Sequence, residues 1–320
     1  MKIGLVSNGR SRRNRSTLAR VGEIVAAARG VEHAVLDGVE GLDAALAGFA
    51  ARGVDIVAVN GGDGTVQAAL TVLLGPDTPF DRLPLMAVLP GGTTNMTAAD
   101  VGLRGGRERG LARLIAAAAD GSAATGTTER HLVGVDRGIG EPVQYGMFFG
   151  TAGICRVIEY CRQAVHPLKV NSGLASALTL AGLFARLLLR RGGSDTVLSG
   201  DRIAVALDGE DPHVAEHFLL LVTTLDRLVL RSRPFWGTGS GGLCYTSVRW
   251  PPRGLLTRVP RVMYGGALRR LPPETYESRR AARIELTMDC PYTLDGEIFR
   301  PAPGVPLTLH DGGRVAFVRV

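Results

Sequence analysis

Two groups of residues have the types and spacing to do chemistry. The first is Gly61-Gly-Asp-Gly-Thr65, in which three glycines surround one carboxylate, Asp63. Three missing Cβ atoms free the backbone and let an anionic ligand approach main-chain N–H groups, so a phosphate or a metal–phosphate pair suits the setting. Pro90-Gly-Gly-Thr-Thr-Asn95 is a turn of similar kind without an acid. Gly91 and Gly92 loosen it, and Thr93, Thr94 and Asn95 offer hydroxyls and an amide to a phosphate or sugar; Thr94 or Asn95 is also a natural helix N-cap. Asn8-Gly-Arg-Ser-Arg-Arg-Asn-Arg15 adds four guanidiniums, mostly solvated, of which one or two could reach a bound nucleotide. The second group is Asp295 and Glu297, separated by Gly296. In an extended segment both carboxylates point to one side. In a hairpin, Gly296 is simply the turn residue.

The elements that must position these groups follow from periodicity. Val54, Ile56, Val57, Ala58 and Val59 form a short, β-branched run that reads as a buried parallel strand, with a helix from Val66 to Leu74 behind the glycine turn. Lys2 to Ser7 reads as a first strand. The helix after it carries Leu18, Val21, Ile24, Val25 and Ala28 on one face, with Ser16 or Thr17 as cap and Gly30 as stop. Residues 32–36 and 85–89 complete the strands, residues 42–51 form another helix, and a further helix follows Asn95. Strands alternating with helices imply a parallel sheet, and ligands bind beyond the carboxyl ends of such strands. The three polar turns would then share one rim.

An Ala, Gly, Ser and Thr-rich linker is expected over 116–128, and the pattern changes beyond it. Residues 131–136, 143–149, 202–207, 217–223, 243–250, 283–288 and 307–309 read as strands, with turn chemistry at Asp208-Gly209 and Asp311-Gly312. Strand after strand implies an antiparallel, β-rich second domain. The expected boundaries are 1–125 for the α/β domain and 126–313 for the β-rich domain, with 314–320 a last strand that could return to the first.

Composition narrows the class. The chain has 320 residues, 45% hydrophobic and 21% charged, enough for two ordinary cores. No apolar run approaches the ~20 residues of a membrane span without breakers. The N-terminus lacks a signal-peptide layout, so the cytoplasm is the expected compartment. Cys155, Cys161, Cys244 and Cys290 have no Cys-x-x-Cys spacing and read as reduced core residues. The net charge of +7 comes from arginine, since Lys2 and Lys169 are the only lysines. Such a surface suits anionic lipid, phosphorylated ligands or nucleic acid. Nucleic acid is not the expected partner, because no recognition motif is present and aromatic residues are 5% of the chain.

Gly61-Gly-Asp-Gly-Thr65, Pro90-Gly-Gly-Thr-Thr-Asn95 and Leu294-Asp-Gly-Glu297, in that order, resemble the diacylglycerol kinase catalytic-domain family, which includes bacterial lipid kinases and sphingosine kinases and is distantly similar to NAD kinases and phosphofructokinases. The Ser7-Asn8 turn looks like that family's first nucleotide-contacting loop. The resemblance implies an α/β nucleotide domain with a parallel sheet, an antiparallel sandwich-like second domain and an active site in the cleft between them. It implies ATP and Mg²⁺ as cofactors, with Asn8, Arg12, Gly61, Gly62, Asp63, Gly64, Thr65, Gly92, Thr93, Thr94 and Asn95 at the nucleotide. Glu297 becomes the general base toward an acceptor hydroxyl, with Asp295 beside it; Asp63 is the second choice for base, or holds the metal. The implied substrate is a diacylglycerol- or sphingoid-like lipid with a free hydroxyl.

The chain departs from the family at Gln67-Ala68, where Asn-Glu is usual, and at Met96, where Asp is usual. Acids that hold a structural magnesium in many members have no counterpart in residues 239–245. The replacements at Gln67, Ala68 and Met96 motivate one alternative, a nucleotide-binding regulatory protein of the same fold that has lost catalysis. A soluble-substrate kinase of the NAD kinase type is the other, and the missing Asn-Glu pair counts against it. For a transient contact with an anionic inner membrane face, two features stand out. Residues 172–191 read as an apolar-faced helix, which packs in the second domain's core or over a lipid pocket, or else docks at the membrane. Both tryptophans sit among arginines and prolines in Arg231-Ser-Arg-Pro-Phe-Trp236 and Arg249-Trp-Pro-Pro-Arg253, where either ring could also be ordinary core.

Overall fold

The computed structural model describes the chain apart from residues 12–13, 15–16, 93–94, 166–198, 253 and 266–270. The helix expected over 172–191 therefore lies outside the described residues. The chain divides into two compact units, residues 1–130 with 313–320, and residues 131–312.

In the first unit β1 (Ile3–Asn8) and β3 (Ile56–Gly61) are buried along their whole length. They are the central strands of a parallel sheet ordered β2 (Val31–Leu36), β1, β3, β4 (Leu85–Pro90). The register pairs Ser7 with Asn60 and Gly61 with Pro90, so the strands end level and their turns start together. Near the far end of β15 (Leu307–Val318), Phe317 pairs in parallel with Met86 and extends the sheet. Helices α1 (Leu18–Ala26), α2 (Leu42–Ala51) and α3 (Asp63–Leu74) follow β1, β2 and β3. The helix after the first glycine turn starts at Asp63, three residues before the expected Val66, because Gly62 stands at its N-cap in an extended conformation.

The expected linker over 116–128 is mostly not one. After α4 (Met96–Val101), α5 runs from Arg107 to Asp120, and β5 (Thr127–Asp136) begins soon afterwards. Leu111, Leu114, Ala117 and Ala118 are buried on one face of α5. Alanine is the best helix former, and two buried leucines contribute about 2 kcal/mol each. The composition resembles a linker, but the spacing is that of a packed helix.

The second unit is antiparallel, as the strand-after-strand pattern predicts. Its organising strand is β9 (His213–Thr223), which takes β10 (Leu243–Arg249) along one edge. The other edge is shared by β8 (Asp201–Leu207) at the start of β9 and β7 (Phe148–Ala152) at its end. From β7 the sheet continues through β13 (Tyr292–Leu294) to β14 (Glu297–Phe299), and from β8 through β12 (Arg283–Met288) to the first part of β15. β11 (Tyr276–Ala281) pairs with β10, and β6 (Gln144–Gly146) with β5. Tyr292 stacks between Phe149 and Phe299, with ring centroids 5.3 and 5.5 Å away. Asp208 and Gly209 turn the chain with φ of 50° and 84°. At Asp311-Gly312 no turn forms and β15 runs straight through. There the Asp311 carboxylate meets His131 Nδ1 at 2.7 Å, and a Cβ on Gly312 would lie 2.9 Å from the Tyr145 ring. Among the described residues no helix is long and apolar enough to cross a membrane.

One buried histidine makes this unit sensitive to acid. His217 is 2% exposed, and its Nδ1 lies 2.9 Å from Ser247 Oγ. Desolvation, with Arg249 and His213 nearby, pulls its pKa down from 6.5 to about 4. A lowered folded pKa gives stability that is present above pH 6.5 and lost as the pH falls toward 4, since protons then bind the unfolded chain first. That gap is worth about 3 kcal/mol. Urea unfolding at pH 7 and pH 4 should show about this much more acid destabilisation in the native protein than in His217→Gln.

Candidate functional site

The two glycine turns meet backbone to backbone. Gly91 N–H donates to Gly61 O at 2.9 Å. A Cβ on Gly91 would stand 2.9 Å from the N, Cα and C atoms of Gly61, and one on Gly92 would stand 2.6 Å from Gly62 Cα. Real side-chain carbons do not approach backbone this closely, so these glycines are required by the contact between the turns. A Cβ on Gly61 would also strike the Thr65 side chain at 2.6 Å. Loop packing is therefore a cause of this glycine pattern that stands apart from ligand approach.

Asp63 ties the same turns together. Its carboxylate accepts the Met96 N–H at 3.1 Å and the Thr97 N–H at 2.9 Å, both in the first turn of α4. Asp63 thus caps α4 from another loop, where the sequence suggests Thr94 or Asn95. Asn95 occupies the N-cap position in a left-handed conformation, φ 51°, and its amide instead closes its own loop by accepting Gly92 N–H at 2.7 Å and donating to Gly92 O at 2.8 Å. Desolvation raises the Asp63 pKa, and the backbone N–H groups at Thr97, Met96 and Asn95 pull against that rise. Capping leaves this carboxylate poorly suited to the metal-ligand role expected of it. Among the described residues, no three His, Cys, Asp or Glu side chains gather as a metal site. The described residues therefore offer no all-protein cage for magnesium, an ion that commonly takes most of its ligands from phosphate and water.

A buried polar network holds the first turn to the second. Asn8 Nδ2 donates to Thr65 Oγ1 at 2.9 Å, and Asn14 Nδ2 lies 2.8 Å from Asn8 O and 2.7 Å from Asn60 O. Asn60 donates to Ser7 Oγ at 3.1 Å, and His33 Nε2 lies 2.9 Å from the same oxygen. Burial lowers the His33 pKa, which favours a neutral ring. Among the described residues, Asn14 Oδ1 and Asn60 Oδ1 are buried without a hydrogen-bond partner. Arg107 donates to Pro90 O at 2.7 Å and also meets Thr17 Oγ1, pinning the second turn from α5. In the arginine turn, Arg10 is engaged by Asp37 at 2.8 and 2.9 Å on the surface. Arg12, Thr93 and Thr94 lie outside the described residues.

This half fits an anionic ligand at the start of α3. Thr65 and Val66 N–H close onto Gly62 O, whereas the N–H groups of Asp63 and Gly64 have no acceptor within the helix. Gly62, Asp63 and Gly64 are half-buried, at the end of the helix where the dipole favours negative charge. The phosphates of ATP suit those donors.

Asp295 and Glu297 part company. Tyr292 pairs with Phe299 and Leu294 with Glu297, so Asp295-Gly296 is a two-residue hairpin loop. Both loop residues have positive φ, 48° and 92°, which is the loop geometry that Asp-Gly favours. The extended alternation that would align the carboxylates is absent. Asp295 is 3% exposed and accepts the N–H groups of Met147 at 3.0 Å and Phe148 at 2.9 Å, fixing the entry to β7. Glu297 is exposed, with Arg162 Nη2 3.5 Å from Oε2. Arg162, on α6 (Gly153–Val165), also donates to Gly296 O at 2.8 Å and so clamps the turn.

Asn14, Asn60, Arg107 and Arg162 are site residues that the sequence does not reveal. Asn14 lies in the arginine-rich turn, but the role of all four comes from contacts with atoms that only the fold brings near. Gln67, at one departure from the family, is buried and donates to Thr71 Oγ1 at 3.1 Å within α3.

Residues 2–126 match the family model of the diacylglycerol kinase catalytic domain. The match covers less than half of the chain and marks this stretch as similar to that domain. No curated protein matches the chain. Among solved structures, a candidate diacylglycerol kinase from Bacillus anthracis str. Sterne is 17% identical with a TM-score of 0.65, covering 99% of this chain and 96% of its own. Another from the same organism is 16% identical with a TM-score of 0.64, covering 100% and 97%. A third, a diacylglycerol kinase of that organism, has 16% identity and a TM-score of 0.58, covering 99% and 96%. At these identities the likeness is one of fold, and it extends over nearly the whole chain.

Two substitutions test the loop contact. Asp63→Ala should lower stability in urea unfolding by about 1–2 kcal/mol, and Asp63→Asn by less, since an amide oxygen still accepts. Gly91→Ala should cost about 1–3 kcal/mol through overpacking, read by the same unfolding measurement.

Proposed function

We propose that this protein is an ATP-dependent lipid kinase that phosphorylates a hydroxyl of a diacylglycerol- or sphingoid-like lipid. The observation that carries the reading is the division of labour in the Asp-Gly-Glu turn. Asp295 is consumed as a structural anchor, which leaves Glu297 as the accessible carboxylate, held at a fixed place by the hairpin and by Arg162. The family match over residues 2–126 supports phosphoryl transfer as the chemistry such a carboxylate would serve.

In this reading the Asp63 and Gly64 N–H groups orient the phosphates of ATP, which supplies the phosphoryl group. The turns behind them are kept rigid by the glycine contact and the Asp63 cap. Glu297 accepts the proton of the lipid hydroxyl as that hydroxyl's oxygen forms a bond to the γ-phosphorus of ATP, while the bond from this phosphorus to the bridging oxygen breaks and ADP leaves. Arg162, 3.5 Å from Glu297, helps to hold the carboxylate in place.

Radiolabelled ATP, offered with a panel of diacylglycerols, sphingoid bases and water-soluble acceptors including NAD, tests the proposal. Label in the organic phase is the expected outcome. Label on a soluble acceptor would replace the lipid assignment, and nucleotide binding without transfer would favour the regulatory protein. Glu297→Gln should lower turnover about a hundredfold or more while ATP affinity stays near that of the native protein.

A further inference from the structure

The positive charge of this chain is not spread along it. Residues 227–273 contain nine arginines and no lysine, aspartate or glutamate. Their charge of +9 exceeds the +7 of the whole chain, so the remaining residues together are net acidic. Genome composition would scatter arginine along the sequence and does not explain a stretch free of acids.

The second unit folds part of this stretch into one surface. Leu228 N–H donates to Ser232 O at 2.8 Å and closes a tight loop. Leu230 and Arg231, at its tip, both have left-handed backbone, φ 58° and 57°. Neither is glycine, and Asn and Asp are absent too, so the fold holds these two side chains in place against backbone preference. Arg233 N–H donates to Met263 O at 2.8 Å, and Tyr264 O–H donates to Leu230 O at 3.2 Å. These bonds stitch the loop to the last turn of α7 (Leu255–Tyr264). Leu255 and Val262 turn inward onto Phe218, Val248 and Tyr276, and Trp236 and Trp250 pack against the same cluster. Arg261 and Tyr264 face out, Tyr264 with 57% exposure. Arg227, Arg231 and Arg233 are exposed as well, and Arg233 lies 5.0 Å over the Phe235 ring.

We infer that the loop 227–236 and the outer face of α7 form a docking surface for an anionic phospholipid bilayer. Arginines beside half-buried aromatic and aliphatic side chains match a boundary where charge meets lipid phosphate and rings enter the headgroup layer. A surface for nucleic acid would present aromatic faces for base stacking; here both tryptophans belong to the local core. The inference concerns adsorption and stands independently of phosphoryl transfer.

Flotation with vesicles of pure phosphatidylcholine, and of equal parts phosphatidylcholine and phosphatidylglycerol, tests it. The native protein should float with the anionic vesicles at low salt and lose binding as salt rises. The double variant Arg231→Glu, Arg261→Glu should bind them at least tenfold more weakly while keeping its far-ultraviolet spectrum and melting temperature. If that variant misfolds, Arg231→Gln with Arg261→Gln gives the same comparison. Equal binding of native and folded variant proteins would overturn the assignment. So would equal binding to both vesicle types, or displacement from anionic vesicles by polyadenylate at equal phosphate concentration.

Discussion

The contact on which the candidate site depends is the closed approach of two glycine turns, locked by one carboxylate. Gly61 and Gly62 lie so near Gly91 and Gly92 that no side chain fits between them. Such an approach is possible because β3 and β4 end in register, with Gly61 opposite Pro90. Asp63 then satisfies two N–H groups of α4 that would otherwise lack partners. Sheet register, turn conformation and the start of two helices are thus fixed by the same few atoms. The N–H groups at the start of α3 that would cradle an anion are thereby held in place, and donors fixed in advance lower the ordering cost of binding one.

The same device recurs in the second unit. Asp295 is buried in a tight turn and accepts two successive backbone N–H groups from a strand far away in sequence, as Asp63 does from a helix. Each carboxylate works as a cross-brace. Burial explains the assignment: a carboxylate with both oxygens bonded to backbone is stabilised where it stands, and moving it would strand two N–H groups. In the Asp-Gly-Glu turn, chemistry is left to the exposed Glu297.

Much of this is legible in the sequence, for physical reasons. The parallel unit is visible because fully buried strands such as Ile56-Val-Ala-Val leave unbroken apolar runs, and the antiparallel unit because turns and alternation repeat. The end of α5 reads as a linker since Ala116 to Ala119 has the composition of one; the helix reveals itself only by the periodic burial of Leu111, Leu114 and Ala118. β11 escapes a sequence reading because Tyr-Glu-Ser-Arg-Arg-Ala is polar; it gains its place by pairing with β10. Asp311-Gly312 carries turn chemistry yet lies inside a strand, since a partner at residue 131 claims the aspartate. In every such case the deciding interaction is distant in sequence.

The glycine motif shows how far a local reading can go. Its glycines imply close approach, and close approach is what the structure contains, but the approaching group is first of all another stretch of the same chain. The motif groups Thr65 with the ligand-binding residues, and its hydroxyl instead receives Asn8 Nδ2 from the first turn. Gln67, one position where the family pattern breaks, bonds Thr71 within α3. An Asn-Glu pair at 67–68 would place an acid one residue further along that helix, and this chain has an alanine there. The break in the pattern therefore removes a carboxylate near the cradle while leaving the cradle itself intact. Holding an anion and placing a metal against it are separable demands on such a loop, and the missing acid at position 68 bears on the second alone.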